Sequence, residues 1–449
     1  MRQSTITILG IILAILLFAD TARGQEIITL DQAISVSLEN NIELKKTRNN
    51  ALVAKSNKFQ ALMNYLPTLN AGINYDYFLG TFFDNNAARQ VTATTNSSTP
   101  RIDMNAVLFN GFANTYYMKQ INANEEAAQH AIDAQKVLVR SNVLANYLNV
   151  LLDRENIYIS HDRIELLERQ LDREIKRESV GVGNLELVYN FRSQLANEKL
   201  NGVNLNNRYK TDLLILLQVM FLDPNKDYEV EAYDISSEEI LSDVESFDTV
   251  LAASLDFSPD FQRSEASNQS ANYQLKYAKA ARYPTINFFG RVGSNYSSNG
   301  ALNPESGEFE SKAGFNTQLG YNEYEYLNFS LNIPLFNRGR TNNTIQVAKI
   351  NVLNSELDTK LAYQTIVNSV QRVYLDLVSA QNTYKAAQEN LTALNQSYEF
   401  SSKRYETGNT DFFTYLESLN NKNRAESELV NAKYSIVFRK KILDIYKGL

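Results

Sequence analysis

Four stretches of this chain alternate apolar and polar residues with period two. Leu69, Ala71, Ile73, Tyr75 and Tyr77 share one face of the first, opposite Thr68, Asn70, Gly72, Asn74 and Asp76. In the second, Ile102, Met104, Ala106 and Leu108 oppose Arg101, Asp103 and Asn105. The third sets Ile286, Phe288, Val292 and Tyr296 against Thr285, Asn287, Arg291 and Asn295, and the fourth sets Leu327, Phe329, Leu331 and Ile333 against Asn328, Ser330 and Asn332. Such alternation predicts strands at about residues 68–78, 101–110, 285–296 and 324–333. Proline-free helical stretches run from Phe112 to Ser179 and from Arg338 to Glu406, each sufficient for about 100 Å of helix. Along the second, Ile366, Val370, Val373, Leu377, Ala380, Tyr384, Ala387, Leu391, Leu394, Tyr398 and Tyr405 recur at spacings of four and three, with Ser401 in one polar slot. That is a heptad seam, hence coiled-coil packing. Ala145, Leu148, Leu152, Ile159 and Leu166 keep a looser version in the first. Both stretches stop at glycine turns, 181–184 and 407–410, after which helical patterns run back from Glu186 and Asp411. Two helical hairpins are expected.

The order of these segments is a repeat. Tyr65-Leu66-Pro67-Thr68-Leu69-Asn70 returns as Arg282-Tyr283-Pro284-Thr285-Ile286-Asn287, and Val107-Leu108-Phe109-Asn110-Gly111 returns as Pro334-Leu335-Phe336-Asn337-Arg338. One unit of two strands and a helical hairpin used twice sets the fold. The expected organisation is a first repeat at 25–222, an irregular connector rich in Asp and Glu at 223–258, and a second repeat at 259–449. Residues 1–24 read as a secretory signal: Arg2, an apolar run from Ile6 to Ala19, and small residues at Ala22 and Gly24.

Alternation alone also suits a soluble sheet, but three features point to a bilayer. Each strand has about ten residues, enough to cross when tilted. Tyr75, Tyr77 and Phe78 in one copy and Tyr321, Tyr324 and Tyr326 in the other gather towards strand ends, like an interfacial girdle. The segments from Phe82 to Pro100 and from Ser297 to Glu323 are long and rich in Asn, Ser, Thr and Gly, as outer loops are. Four strands are too few to close a barrel, since the smallest have about eight. The barrel must be shared between chains, because an open edge in lipid leaves backbone groups unpaired.

Composition narrows the chemistry. The formal charge of −7 becomes about −8 without Arg2, Arg23 and Asp20, which argues against nucleic acid as a partner. The chain has no cysteine, so disulfides, thiolate metal sites and a lipidated N-terminal cysteine are excluded. Its two histidines, His130 and His161, lie in a helical stretch with no ligand pattern that repeats. No phosphate-binding glycine loop, nucleophile elbow or recurring acid pair occurs. No catalytic residue, cofactor or metal is expected. A periplasmic coiled-coil adaptor or scaffold would account for the helices but not for the strands.

The Ile28-Thr29-Leu30-Asp31-Gln32-Ala33 opening, Asn40-Asn41, the Pro-Thr lead-in to each strand pair, the Leu-Phe-Asn exit and Tyr405-Glu406-Thr407-Gly408-Asn409 together resemble the TolC-type outer membrane efflux proteins. The resemblance covers essentially the whole mature chain. It implies a homotrimer in which each chain gives four strands to one twelve-stranded outer membrane barrel, continued by a periplasmic α-helical tunnel. Such proteins are passive exit ducts, in contact with outer membrane lipid, a periplasmic adaptor and, through it, an inner membrane transporter. Adaptor contact is implied at the tips, Val182-Gly183-Asn184 and Thr407-Gly408-Asn409. The tunnel's narrowing is implied beside the second tip, at Asp411, Thr414 and Glu417, faced by Glu186, Tyr189 and Asn190, with Arg192 able to pair with a nearby acid.

Overall fold

The structure, a computed structural model, describes residues 26–84, 88–232, 240 and 245–449. The expected signal segment, 1–24, lies outside them. In chain order the elements are β1 (Glu26–Ile28), α1 (Leu30–Asn40), α2 (Ile42–Met63), β2 (Thr68–Asp84), β3 (Arg89–Asn110), α3 (Ala113–Ser179), α4 (Leu185–Met220) and β4 (Tyr228–Val230). Then follow α5 (Phe247–Phe257), α6 (Pro259–Ala280), β5 (Thr285–Gly293), β6 (Tyr296–Ser297), β7 (Ala301–Leu302), β8 (Phe309–Glu310), α7 (Phe315–Tyr321), β9 (Tyr324–Asn332), α8 (Arg340–Glu406) and α9 (Phe412–Lys447).

The duplication is written in helix lengths. α1 and α5 have 11 residues each, α2 and α6 have 22, α3 and α8 have 67, and α4 and α9 have 36. Their caps recur too. Thr29 Oγ1 accepts from the Gln32 amide while Gln32 Oε1 accepts from the Thr29 amide, both at 3.1 Å, a reciprocal capping box that gives the opening motif its physical meaning. Ser246 caps α5 in the same place. The second copy therefore starts at α5, and the connector expected at 223–258 is shorter, with β4 in it. Strand gives way to long helix through two consecutive residues of positive φ in each copy, Gly111-Phe112 and Arg338-Gly339. The asparagine before each corner caps the helix: Asn110 Oδ1 accepts from the Asn114 amide at 3.3 Å, and Asn337 Oδ1 from the Thr341 amide at 3.5 Å.

Compactness does not follow the repeat. One unit gathers Met1–Asn49, His130–Phe261 and Leu361–Leu449, the other Asn50–Gln129 and Gln262–Lys360, within their described residues. Each unit draws on both copies, since like elements pack together.

In the first unit Val143, Leu144, Tyr147 and Leu151 of α3 pack with Leu216 and Leu217 of α4, Val370 and Leu377 of α8, and Ile436 and Val437 of α9. Every seam position from Ile366 to Tyr405 is buried or half-buried. In α3 the buried set is broader than the seam expected there, because α3 also takes up the β1–β4 pair. β1 and β4 run parallel, Ile28 beside Val230. Tyr147 Oη donates to the carbonyls of Ile28 at 3.1 Å and Glu231 at 3.3 Å, and Arg154 Nη1 donates to that of Val230.

The second unit holds an antiparallel sheet in the order β2-β3-β5-β9. Here two expectations change. β2 and β3 extend to Asp84 and from Arg89, so most of the presumed outer loop is strand; its threonines form cross-strand pairs, with Thr81 and Thr92 hydroxyls 2.7 Å apart. β5 and β9 stop earlier, and the segment between them is ordered around buried Gln318 of α7. Gln318 accepts from the Ser297 amide and donates to the carbonyls of Ser297 and Ala313.

Candidate functional site

The sheet has two chemically distinct faces. Leu69, Met104, Gly290 and Leu327 lie across one row, and Ala71, Ile102 and Val292 across the next on the same face, with Glu325 at the β9 end of that second row. Phe288 and Phe329 pack beside them, ring centres 5.0 Å apart. Leu69 is 68% and Phe329 69% exposed. An apolar face that continuous calls for an apolar solvent. The intervening row sets Asn70, Asp103, Arg291 and Tyr326 side by side on the opposite face. There Arg291 Nε and Nη2 grip Asp103 at 2.6 and 3.2 Å, and Arg101 Nε stands 3.4 Å from the same carboxylate.

The pleat separates the aromatics expected at the membrane interface. Tyr75 and Tyr77 share the apolar face. Phe78, Tyr324 and Tyr326 fall on the other by alternation, and the Tyr326 ring lies 6.1 Å from Phe289, over which Arg291 stacks. Tyr321 belongs to α7, its hydroxyl 3.2 Å from Asn303 Nδ2. Nearness to a strand end grouped these residues; the face of the strand divides them.

The hairpin tips share one turn. The Gly181 amide donates to the Glu178 carbonyl and Val182 to Arg177, as Gly408 donates to Tyr405 and Asn409 to Arg404. Both glycines have positive φ, 78° and 75°. Gly181 is thus the counterpart of Gly408, and Val182-Gly183-Asn184 matches Asn409-Thr410-Asp411, not Thr407-Gly408-Asn409. Asn184 and Asp411 both cap the returning helix. Asn184 Oδ1 accepts from the Glu186 amide at 2.8 Å; Asp411 Oδ1 accepts from the Phe413 and Thr414 amides, and its Oδ2 from the Thr414 hydroxyl at 2.7 Å. The Thr414 hydroxyl, then its amide, hold the Asp411 carboxyl below its ordinary range. The cap's contribution is therefore complete at neutral pH and lost as acid titrates the folded carboxyl, so the protection of the Phe413 and Thr414 amides, relative to their intrinsic exchange at the same pH, should fall on strong acidification. A side chain at Gly183 would place Cβ 2.3 Å from the Glu178 amide nitrogen. Gly183→Ala should force the first tip to refold, seen as faster proteolysis there than in the wild type, whereas a tip of unchanged protease sensitivity would contradict this.

Thr414 and Glu417 line a cleft of about 370 Å³ with Ser401, Arg404 and Ser418. On the first tip Glu186 and Tyr189 are exposed and Asn190 half-buried. The Arg192 guanidinium sits 5.5 Å from the Tyr189 ring centre.

Behind the tips lies a cluster that sequence reading did not single out. Phe191, Tyr405, Phe412 and Tyr415 stack around Leu167 and Leu419, with Tyr405 and Tyr415 4.9 Å apart. Beside them Glu174 is 2% exposed, with Arg173 and Arg177 each at 3.9 Å. Arg173 Nη1 reaches on to Glu406 Oε1 of α8 at 3.0 Å, joining the two hairpins, and its Nη2 donates to Gln170. Burial first, and the Glu174 charge next, push the Tyr405 hydroxyl up to about 12. The buried hydroxyls of Ser401 and Ser418 nearby have no hydrogen-bond partner. Aligning the copies on Gly181 and Gly408 sets Glu174 opposite Ser401, the polar slot of the seam, and that was the available signal.

Among the described residues, His161, Asp162 and Glu165 can bring ligand atoms within 4.8 Å of one another. All three are exposed neighbours on one helix, and their spacing along α3 accounts for the proximity. No described helix is long and apolar enough to cross a membrane.

Residues 250–441 match the family model described as outer membrane efflux protein. The chain is 21% identical over 424 residues to outer membrane protein TolC of Salmonella enteritidis, covering 93% of this chain and 81% of that protein. Among solved structures, VceC of Vibrio cholerae superimposes with a TM-score of 0.79 at 13% identity, over 93% of this chain and 96% of that one. The Campylobacter jejuni CmeC outer membrane channel gives 0.72 at 18%, over 93% and 85%. The expected fold class, four strands per chain for a shared barrel continued by a helical tunnel, is the fold of these channels, and a barrel-less periplasmic adaptor has no use for the sheet. Residues 250–441 thus carry an outer membrane efflux protein domain, and the chain is similar to TolC-type channels over 93% of its length, as an outer membrane exit duct.

Proposed function

We propose that this duct works as a homotrimer that receives its cargo from an inner membrane transporter through a periplasmic adaptor held at the hairpin tips. The observation that carries this reading is a sheet whose main path has four strands, β2-β3-β5-β9, with the short β6 set against part of β3, an apolar face, and two edges, β2 and β9, that are unpaired among the described residues. Three such sheets make twelve strands, enough for a closed barrel, and closure removes every edge from lipid. Exposed apolar residues on α8, Ile350, Leu353 and Leu357, favour the same assembly by asking for cover from a neighbouring chain.

The resting duct is closed at its tips. Val182, Gly183, Asn184, Thr407, Gly408 and Asn409 offer the adaptor its contacts, and Glu417 is the acid that faces the narrowing, with Thr414, Glu186, Tyr189 and Asn190 around it. Asp411 supports the gate as a helix cap. Opening is a shift between two packings of the hairpins, biased by binding energy at the tips. Purified protein in a planar bilayer should show low conductance, raised by Glu417→Ala. A wide, steady channel in the wild type would refute the closed resting state.

A further inference from the structure

Both hairpins keep one register, Thr68 opposite Asn105 and Thr285 opposite Asn332. The two copies meet at the β3–β5 seam, where Met104 faces Gly290, Ile102 faces Val292 and, after a register shift between Val107 and Phe109, Phe109 faces Ile286. A ring of such repeats needs one more seam, β9 of one chain against β2 of the next. Resting on the shared barrel proposed above, we infer that β9 pairs antiparallel with β2 of a second copy in the register of the β3–β5 seam, with Leu331 opposite Ile73, Phe329 opposite Tyr75 and, beyond a bulge at Leu335, Phe336 opposite Leu69.

Three observations support this register. Counterparts are fixed at both ends of the strands, by Thr68 with Thr285 and by Asn110 with Asn337, so the translation from one seam to the other has no free parameter. Each of the three named pairs sets an apolar residue against an apolar one, Ser330 falls opposite Asn74 and Asn328 opposite Asp76 on the other face, and a slip of one residue would invert the faces. Finally, Leu335 and Phe336 are 91% and 86% exposed, whereas the counterpart Phe109 is half-buried, paired with Ile286 and packed edge-on against Phe112 at 5.4 Å. Within one chain nothing covers Leu335 and Phe336; the proposed seam gives Phe336 the place that Phe109 already has. Pro334 falls at the position of Val107, beside the bulge, where a missing amide is tolerated. Continued outward, the register brings Tyr326 to Phe78, both on the polar face, and β9 ends opposite Gly80, inside the longer β2.

The chain has no cysteine, so introduced thiols would be the only ones. Leu331→Cys with Ile73→Cys should oxidise to a covalent trimer on a non-reducing gel, because directly opposed residues lie about 4.5–5.5 Å apart. Leu331→Cys with Tyr75→Cys, displaced by two residues to about 7–8 Å, should not. A covalent trimer from the displaced pair, from both equally, or from neither while the trimer stays intact by native mass spectrometry, would overturn the register. Monomers in every variant and in the wild type would overturn the shared barrel, and the register with it.

Discussion

Arg173→Ala should unlock the hairpin tips. The substitution removes the bridge to Glu406 and one of the two guanidinium groups beside Glu174, a carboxylate that is 2% exposed. Losing the partner of a fully buried charge costs about 3–5 kcal/mol. Here the loss is smaller, on the order of 2 kcal/mol, because Arg173 is one-third exposed and Arg177 remains at 3.9 Å. That still raises the open population more than tenfold. Single-channel conductance and protease sensitivity at the tips should both rise. Glu174→Gln added to Arg173→Ala should restore much of the closed behaviour, since the uncompensated charge is then gone. Equal conductance in the wild type and Arg173→Ala would show that the tips are held elsewhere.

Leu327→Arg and Asn328→Arg should differ sharply although the two positions are adjacent. Leu327 extends the row of Leu69 and Met104 on the apolar face, and Asn328 lies opposite Phe289 on the face of Asp103 and Arg291. An arginine on the lipid face near the bilayer midplane costs about 2–4 kcal/mol per chain, and a lumen position tolerates it. Denaturant unfolding of protein refolded into vesicles should show the loss for Leu327→Arg and near-wild-type stability for Asn328→Arg. The reverse order would assign the wrong face to lipid.

The faces of the strands were legible because a two-residue period survives any context. Helix ends were legible where chemistry forces them: glycine at 181 and 408, and asparagine at 110 and 337 where strand turns into helix. What escaped depends on contacts distant in sequence. Residues 89–99 are rich in Thr, Ser and Asn and read as loop, yet β3 includes them because it pairs with β2 on one side and with Ser297 of β6 on the other. Glu174 breaks the apolar pattern of α3, so the pattern could not mark it as buried; only Arg173 and Arg177, together with Tyr405 from the other copy, explain its place. Residue identity alone sets Gly183 beside Gly408, one motif out of step with the turn geometry. Hydrogen bonding, not residue identity, identifies Gly181 as the true counterpart. Asp411 carried the right chemistry for an acidic ring, but its oxygens are occupied by the Phe413 and Thr414 amides and the Thr414 hydroxyl.

The four-stranded sheet is half of an argument that only a second and third copy complete. The mass of the particle extracted from outer membranes in mild detergent, read by native mass spectrometry, tests that directly. Three chains per particle is the predicted result; a stable single chain would contradict a shared barrel and the duct built on it.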